Sequence, residues 1–185
     1  MNIIYCLTGS FCTFSKSVEE VKRLVDKGNN VIPVMSYNSY NIDTRFGTAE
    51  YFRNKLKQIT HNDIIHTIED AEPIGPKNMG DILVVAPCTS NTIAKLCYGV
   101  NDTPVTMAVK SHLRNNKPVV IGVSTNDALG SSAKNIGYLM NMNNYYLVPM
   151  AMDSPINKPK SLVCDFEKIS DTIDLALSSK QIQIF

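Results

Sequence analysis

The sequence predicts a doubly wound α/β protein, a parallel sheet with helices on both faces, folded as one domain over residues 1–185. Three observations predict it. Short apolar runs at Asn2–Leu7, Asp81–Ala86 and Pro118–Val123 have the length of strands but not the alternation of a half-solvated sheet, which suits strands buried on both faces. Stretches with apolar residues at helical spacing lie between them, and parallel strands need such crossovers. Small polar residues follow each run, at the carboxyl ends of strands, where open parallel sheets place their ligands.

Taken in order, Asn2–Leu7 is the first strand and Thr8-Gly9-Ser10 turns the chain. Ser15–Lys27 follows as a helix with Val18, Val21, Leu24 and Val25 on one face, and Gly28 stops it, as glycine does at helix ends. Val31–Met35 is a second strand ending at Ser36; Tyr37–Phe46 reads as loop and Thr48–Ile59 as helix. Ile64–Pro76 contains Pro73, Gly75 and Pro76, which predicts an irregular excursion. Asp81–Ala86 is the clearest buried strand; Pro87 is expected to end it, with a helix starting near Ser90 or Asn91. Pro104 suits the first turn of a helix running to about Arg114, since its missing N–H is not needed there. After Pro118–Val123 come Ser124-Thr125-Asn126-Asp127, a helix over Ala133–Asn143 and a strand at Tyr145–Val148. A proline-rich loop over Pro149–Lys160 and an amphipathic helix at Ile169–Leu177 finish the chain.

Composition narrows the function classes. A hydrophobic fraction of 44% and a charged fraction of 19% describe a globular chain, long enough for a substantial core. With 18 Lys and Arg against 17 Asp and Glu, no global field attracts nucleic acid or an anionic membrane. The cysteines Cys6, Cys12, Cys88, Cys97 and Cys164 form no CxxC pair and no zinc spacing with histidine, so no metal site is expected. No apolar run approaches the roughly 20 residues of a membrane span, and Ile3–Leu7 is too short for a signal-peptide core. A reducing cytoplasm is the expected setting.

The loops after the strands carry the candidate chemistry. Thr8, Gly9, Ser10 and Thr13 offer backbone N–H groups and hydroxyls to an anion, or merely turn and cap the chain. Neither GxGxxG nor a Walker A pattern is present. Pro87 is followed by Thr89, Ser90, Asn91 and Thr92, four small polar residues where one helix cap needs one. They suit a phosphate or the edge of a flavin ring. Ser124, Thr125 and Asn126 repeat the theme. By themselves these loops accommodate FMN, a nicotinamide phosphate or a free anion equally well.

These residues resemble a known family. Ala86-Pro87-Cys88-Thr89-Ser90-Asn91-Thr92-Ile93-Ala94-Lys95-Leu96 is similar to the PASANT-type motif of the homo-oligomeric flavin-containing cysteine decarboxylase superfamily. Thr8-Gly9-Ser10 matches its opening turn, and Thr44-Arg45-Phe46 its segment after the second strand. Within that superfamily the chain more closely resembles the family of dipicolinate synthase B subunits. The shared strings are TGSFCT (Thr8–Thr13), DTRFG (Asp43–Gly47), AEPIGPK (Ala71–Lys77), STNDALG (Ser124–Gly130) and the closing stretch from Pro159 to Leu177. The likeness covers nearly the whole chain. It implies a Rossmann-like flavoprotein fold, self-association and a partner, the A subunit of dipicolinate synthase, which resembles a nicotinamide-binding dehydrogenase and carries NADP. It also implies the reaction, oxidation of a dihydrodipicolinate-type dicarboxylate of the lysine pathway to dipicolinate in the mother cell of a sporulating bacterium. The alternatives are a non-catalytic scaffold for the A subunit and another flavin-dependent member of the superfamily.

By the same resemblance, Gly9, Ser10 and Ser36 lie near the FMN phosphate, and Thr89, Ser90, Asn91 and Thr92 line the ring or ribityl region. Thr8, Thr13, Pro87, Ser124 and Thr125 complete the expected cofactor set. Asn126 faces the substrate, and Arg45 holds a substrate carboxylate, which a guanidinium can grip with two hydrogen bonds. The decarboxylases carry a histidine shortly before the strand that this chain builds from DILVVA. Here that stretch is Pro73-Ile74-Gly75-Pro76, with His66 upstream and out of spacing, so decarboxylation is not expected and no general base is evident. Other residues have plainer readings: Cys12 as a buried inert thiol, Cys88 as filler beside Pro87, and His61, His66 and His112 as surface or locally bonded side chains. Asp127 is expected to cap a helix, and Met140, Met142, Met150 and Met152 to pack or to form an oligomer surface.

Overall fold

The computed structural model describes residues 1–184. Its strands are β1 (Asn2–Leu7), β2 (Asn30–Met35), β3 (Ile82–Cys88), β4 (Val119–Thr125), β5 (Tyr145–Leu147), β6 (Met150–Ser154) and β7 (Lys158–Cys164). They form one sheet in the order β2-β1-β3-β4-β7-β6, with β5 also paired to β4. The pairs β1–β2, β1–β3, β3–β4 and β4–β5 are parallel, whereas β4–β7 and β6–β7 are antiparallel. The doubly wound parallel sheet is therefore observed, extended by an antiparallel hairpin.

Alternate residues of the buried strands feed two cores, as the pleat requires. Ile4, Cys6, Leu83, Val85, Val119 and Ile121 meet one helical layer, α5 (Ser90–Tyr98), α6 (Pro104–Leu113) and α7 (Ala133–Met140). Ile3, Tyr5, Leu7, Ile82, Val84 and Val120 meet the other, α1 (Phe14–Asp26), α3 (Ala49–Thr60) and α8 (Ile169–Leu177). The helices begin as their sequences dictate: Thr48 accepts a hydrogen bond from the Tyr51 N–H, and Thr103 forms a capping box with Thr106 ahead of Pro104. No helix among the described residues is long and apolar enough to cross a membrane.

Three expectations are corrected, and the irregular course expected of Ile64–Pro76, with no long element, is observed. Tyr37–Phe46 is not all loop: Ser36 caps a short helix, α2 (Tyr37–Asn41), and a turn closes between Thr44 and Gly47. The segment from Ile64 to Pro76 holds another short helix, α4 (Ile68–Ala71), and a 3-10 turn at Glu72–Ile74. Pro87 does not end β3, because it lies in a bulge: three steps on β3 (Val85 to Cys88) oppose two on β4 (Ile121 to Val123). A proline is tolerated at such an irregularity, where a ladder hydrogen bond is already missing. The Ala86–Pro87 peptide is cis. Most importantly, the expected loop over Pro149–Lys160 is the β6–β7 hairpin. Opposite the bulge, a Cβ on Gly122 would stand 2.8 Å from Ala86 Cβ and 2.9 Å from Cys164 Sγ, so no larger side chain fits without displacing both.

Of the three histidines, His112 is the buried one, only 1% exposed. Its Nε2 lies 3.1 Å from the Pro118 carbonyl and must therefore carry a proton and donate it. Burial, partly opposed by that hydrogen bond, lowers its pKa from 6.5 to about 4. The unfolded chain takes up a proton below pH 6.5 that the folded chain refuses until about pH 4, so stability falls with falling pH across that window. Urea unfolding of His112→Gln should show a shallower decline between those limits than the parent, by at most about 1.4 kcal/mol per pH unit. Parallel profiles for the two proteins would refute this.

Candidate functional site

The carboxyl ends of β1, β3 and β4 open onto a cleft of about 500 Å³, a volume typical of small-molecule sites. Its lining includes Gly9, Ser10, Thr89, Ser90, Ser124, Thr125, Asn126 and Arg45. Three loops far apart in the sequence, those at Gly9, Thr89 and Asn126, thus meet where the switch-point rule places a ligand.

Hydroxyl groups tie those strand ends together. Buried Thr8 donates from Oγ1 to the Pro87 carbonyl at 2.7 Å and accepts from the Thr89 N–H at 3.0 Å. Ser10 and Ser124 share a hydrogen bond of 2.8 Å, and Thr13 donates to the Ser10 carbonyl at 2.9 Å. Thr92 is buried beside Thr89, 3.3 Å between hydroxyls. Thr8, Thr13, Pro87 and Thr92 therefore shape the cleft from behind and do not line it. Ser36 caps α2, and Asn91 is exposed on α5; neither is part of the lining.

Two features leave donors free for a ligand. The Thr89 side chain does not cap α5, so the first N–H groups of that helix stand unpartnered at the cleft beside Ser90, carrying the positive end of the helix dipole. Gly9 has neither a positive φ nor a crowded α-carbon: a Cβ there would touch Asn38 and Phe11 only at 3.7 Å. The fold does not need this glycine. Gly9 is itself part of the cleft lining.

The fourth wall comes from the hairpin and is not foreseen from the sequence. Asp153, Lys158, Ser161 and Val163 line the cleft, and Lys158 Nζ pairs with Asp153 Oδ2 at 2.5 Å. No loop composition marks these residues, because proline breaks the strand pattern on both sides of them. Cys12 is also corrected: it is exposed and lines the cleft. Cys6, Cys88 and Cys164 are buried, and burial pushes their thiols well above the ordinary range. His66 stacks on Tyr40 at 3.9 Å and lies outside this cleft.

Asp127 is an organiser of the β4–α7 loop. Its carboxylate accepts from Thr125 Oγ1 at 2.6 Å, Ser131 Oγ at 2.7 Å and Ser132 Oγ at 2.9 Å. Burial alone would raise its pKa, but these hydrogen bonds prevail and hold it below the usual carboxylate value. The bonds hold the backbone on both sides of Asn126, whose side chain has no partner among the described residues. Arg45 stands on the Thr44–Gly47 turn with its guanidinium 4.9 Å from the centre of the Phe46 ring.

A family model described as Flavoprotein matches residues 1–178. The dipicolinate synthase B subunit of Bacillus subtilis is 41% identical over 177 residues, 96% of this chain and 88% of that protein. The crystal structure of the dipicolinate synthase B subunit from Bacillus halodurans matches with a TM-score of 0.90 at 42% identity, over 98% of this chain and 93% of that one. Burkholderia xenovorans DmrB, solved in complex with FMN, shares the fold at a TM-score of 0.72 and 17% identity, over 96% of each chain. The family read from the motifs is the family found.

The Thr8 hydroxyl is the joint between β1 and β3. Thr8→Val keeps the shape but orphans the Thr89 N–H and leaves the Pro87 carbonyl only its 3.3 Å bond from the Thr8 N–H, so chemical denaturation should show a loss of about 1–3 kcal/mol. Thr8→Ser should recover most of it. Equal losses in the two variants would mean that packing, not the hydrogen bonds, holds the joint.

Proposed function

The chain belongs to the Flavoprotein family, and we propose that it binds FMN in this cleft and serves as the B subunit of a dipicolinate-forming oxidoreductase. The observation that carries the reading is Gly9, a glycine with no structural need for its missing side chain, set among small polar loops and an uncapped helix start. Backbone N–H groups at a helix start are suited to a phosphate, so Gly9, Ser10 and the first turn of α5 would hold the FMN phosphate. Thr89, Ser90, Ser124 and Thr125 would border the remainder of the cofactor. Bound flavin would supply a two-electron acceptor for oxidising a dihydro ring.

The chain's own residues bind and orient the substrate. Arg45, exposed at the cleft, would take one carboxylate of a small dicarboxylate, and the free Asn126 amide would donate to or accept from its ring substituents. Among the residues lining the cleft there is no histidine, and the one carboxylate, Asp153, is tied to Lys158. The proton acceptor is therefore assigned to a partner chain, a nicotinamide-binding A subunit carrying NADP. The 41% identity to a protein named as one subunit of a synthase supports such an arrangement, and self-association belongs to the same reading. The mother cell of a sporulating bacterium is the corresponding setting.

The first test is the visible spectrum of the purified protein and an FMN titration. Tight FMN binding is expected, and Gly9→Ala should weaken it roughly tenfold or more, as a methyl group blocks close approach to the phosphate, with the melting temperature unchanged. No binding at saturating FMN would remove the flavin from this chain. The second test adds the nicotinamide-binding partner: Arg45→Ala and Asn126→Ala should each lower kcat/KM by roughly tenfold to a hundredfold without weakening the complex. Full turnover in both would leave the chain as a scaffold for its partner.

A further inference from the structure

A second cation faces the cleft, and it does not come from the loops after the parallel strands. Lys158 on β7 and Asp153 on β6 line the same wall, and the cleft's charged side chains are these two and Arg45. The β6–β7 register shifts between Met152 and Ser154, an irregularity of the kind that re-aims a side chain. At this shift the hairpin carries a 2.5 Å ion pair, with Lys158 52% exposed and Asp153 35% exposed.

A pair this exposed contributes little to stability, because water competes for both partners. The strands around it add no packing that depends on it: Ala151, Met152, Lys158, Pro159 and Lys160 are all exposed. The hairpin is anchored lower down, where Leu129 N–H donates to the Lys160 carbonyl at 3.0 Å and Ser161 Oγ donates to the Thr125 carbonyl at 3.4 Å. Lys158 can therefore change partners without disturbing the fold. The hydrogen bond and charge of Asp153 raise the Lys158 pKa, with Arg45 the smallest of the opposing influences, and both cations line the same cleft, where an anion could meet the two of them.

Resting on the reading that Arg45 takes a carboxylate, we propose that Lys158 is a second carboxylate-binding group and Asp153 its exchangeable internal partner, so that the cleft selects small ligands with two carboxylates over ligands with one. A monocarboxylate occupies Arg45 and leaves the ion pair closed. A dicarboxylate spans both cations, its second carboxylate replacing Asp153 on Lys158 while Asp153 turns to water. Selection arises because the displaced contact is weak and the new one is held in place by the first.

The experiment is calorimetric titration of the full chain at low salt with pyridine-2,6-dicarboxylate and pyridine-2-carboxylate, with and without saturating FMN. The parent should prefer the dicarboxylate. Lys158→Ala should reduce that preference roughly fivefold, all of it on the dicarboxylate side, as for the stronger exposed ion pairs, and Lys158→Arg should restore it. Asp153→Asn should tighten the dicarboxylate and leave the monocarboxylate unchanged. An unaltered preference in Lys158→Ala, equal weakening of both probes, or no binding of either probe overturns the proposal. The ratio is read whether or not FMN binds, so a protein that fails to take FMN would lose the flavin reading and could still show the selection.

Discussion

Along Val119–Ile121 the open edge of β4 is taken by parallel β5, and a little further on, at Ser124 and Thr125, by antiparallel β7. β5 is only three residues long, and its last tie to β4 is the Val148 N–H to the Ile121 carbonyl. Beyond that point β4 would present unpaired backbone groups at the mouth of the site, a costly and sticky arrangement. The chain solves this by leaving through Pro149, making the β6–β7 hairpin and returning on the same edge. The Asp165 N–H donates to the Pro149 carbonyl at 2.8 Å and closes the root of the excursion. Because β7 runs against β4, the hairpin stands alongside the strand ends and becomes a wall of the cleft. This wall of the cleft thus follows from how one strand edge is shared.

The floor of the cleft obeys a related constraint. Ends of parallel strands bring polar backbone into the interior, and each buried group needs a partner. Among the described residues no buried side-chain nitrogen or oxygen is left without one. Thr8, Ser10, Thr13, Thr89, Thr92 and Ser124 bond mostly to one another or to carbonyls. Their hydroxyls are therefore largely used in holding β1, β3 and β4 in register. What remains for a ligand is chiefly backbone, at the start of α5 and at Gly9, together with the Ser90 hydroxyl and the Asn126 amide. Small polar residues in such a loop are as much masonry as binding groups, which is why only some of those expected from sequence line the cleft.

The same distinction explains what can be read from the sequence. Asn2–Leu7, Asp81–Ala86 and Pro118–Val123 are legible because burial on both faces leaves no polar position to interrupt the run. The loops after them are legible because four small polar residues at Thr89–Thr92 exceed what a cap requires. The hairpin is not legible. In β6 three of five residues are exposed, and in β7 the first three are, so neither shows an alternating face, while Pro149, Pro155 and Pro159 signal a loop. Asp153 and Lys158 are lost with it. Helix α2, five residues long, is too short for any periodicity, and Cys12 reads as buried only because burial is the usual fate of a free intracellular cysteine, which says nothing about this particular loop.

The parts of the cleft differ in how firmly they are held, and this difference sorts them by role. Gly9, Ser10 and the α5 start belong to the sheet ends, fixed by the Thr8 and Ser124 hydroxyl links and by the core beneath. A group bound there meets donors that do not need to be ordered on binding, which lowers the entropic cost of association. Arg45 and Lys158 are anchored only by an exposed ring and an exposed ion pair. Such anchors are weak and exchangeable. The rigid side suits a resident cofactor, whose position must not vary between turnovers, and the soft side suits a ligand that arrives, changes charge distribution and leaves. Asn126 combines the two characters, its backbone braced by Asp127 and its amide free in the same cleft.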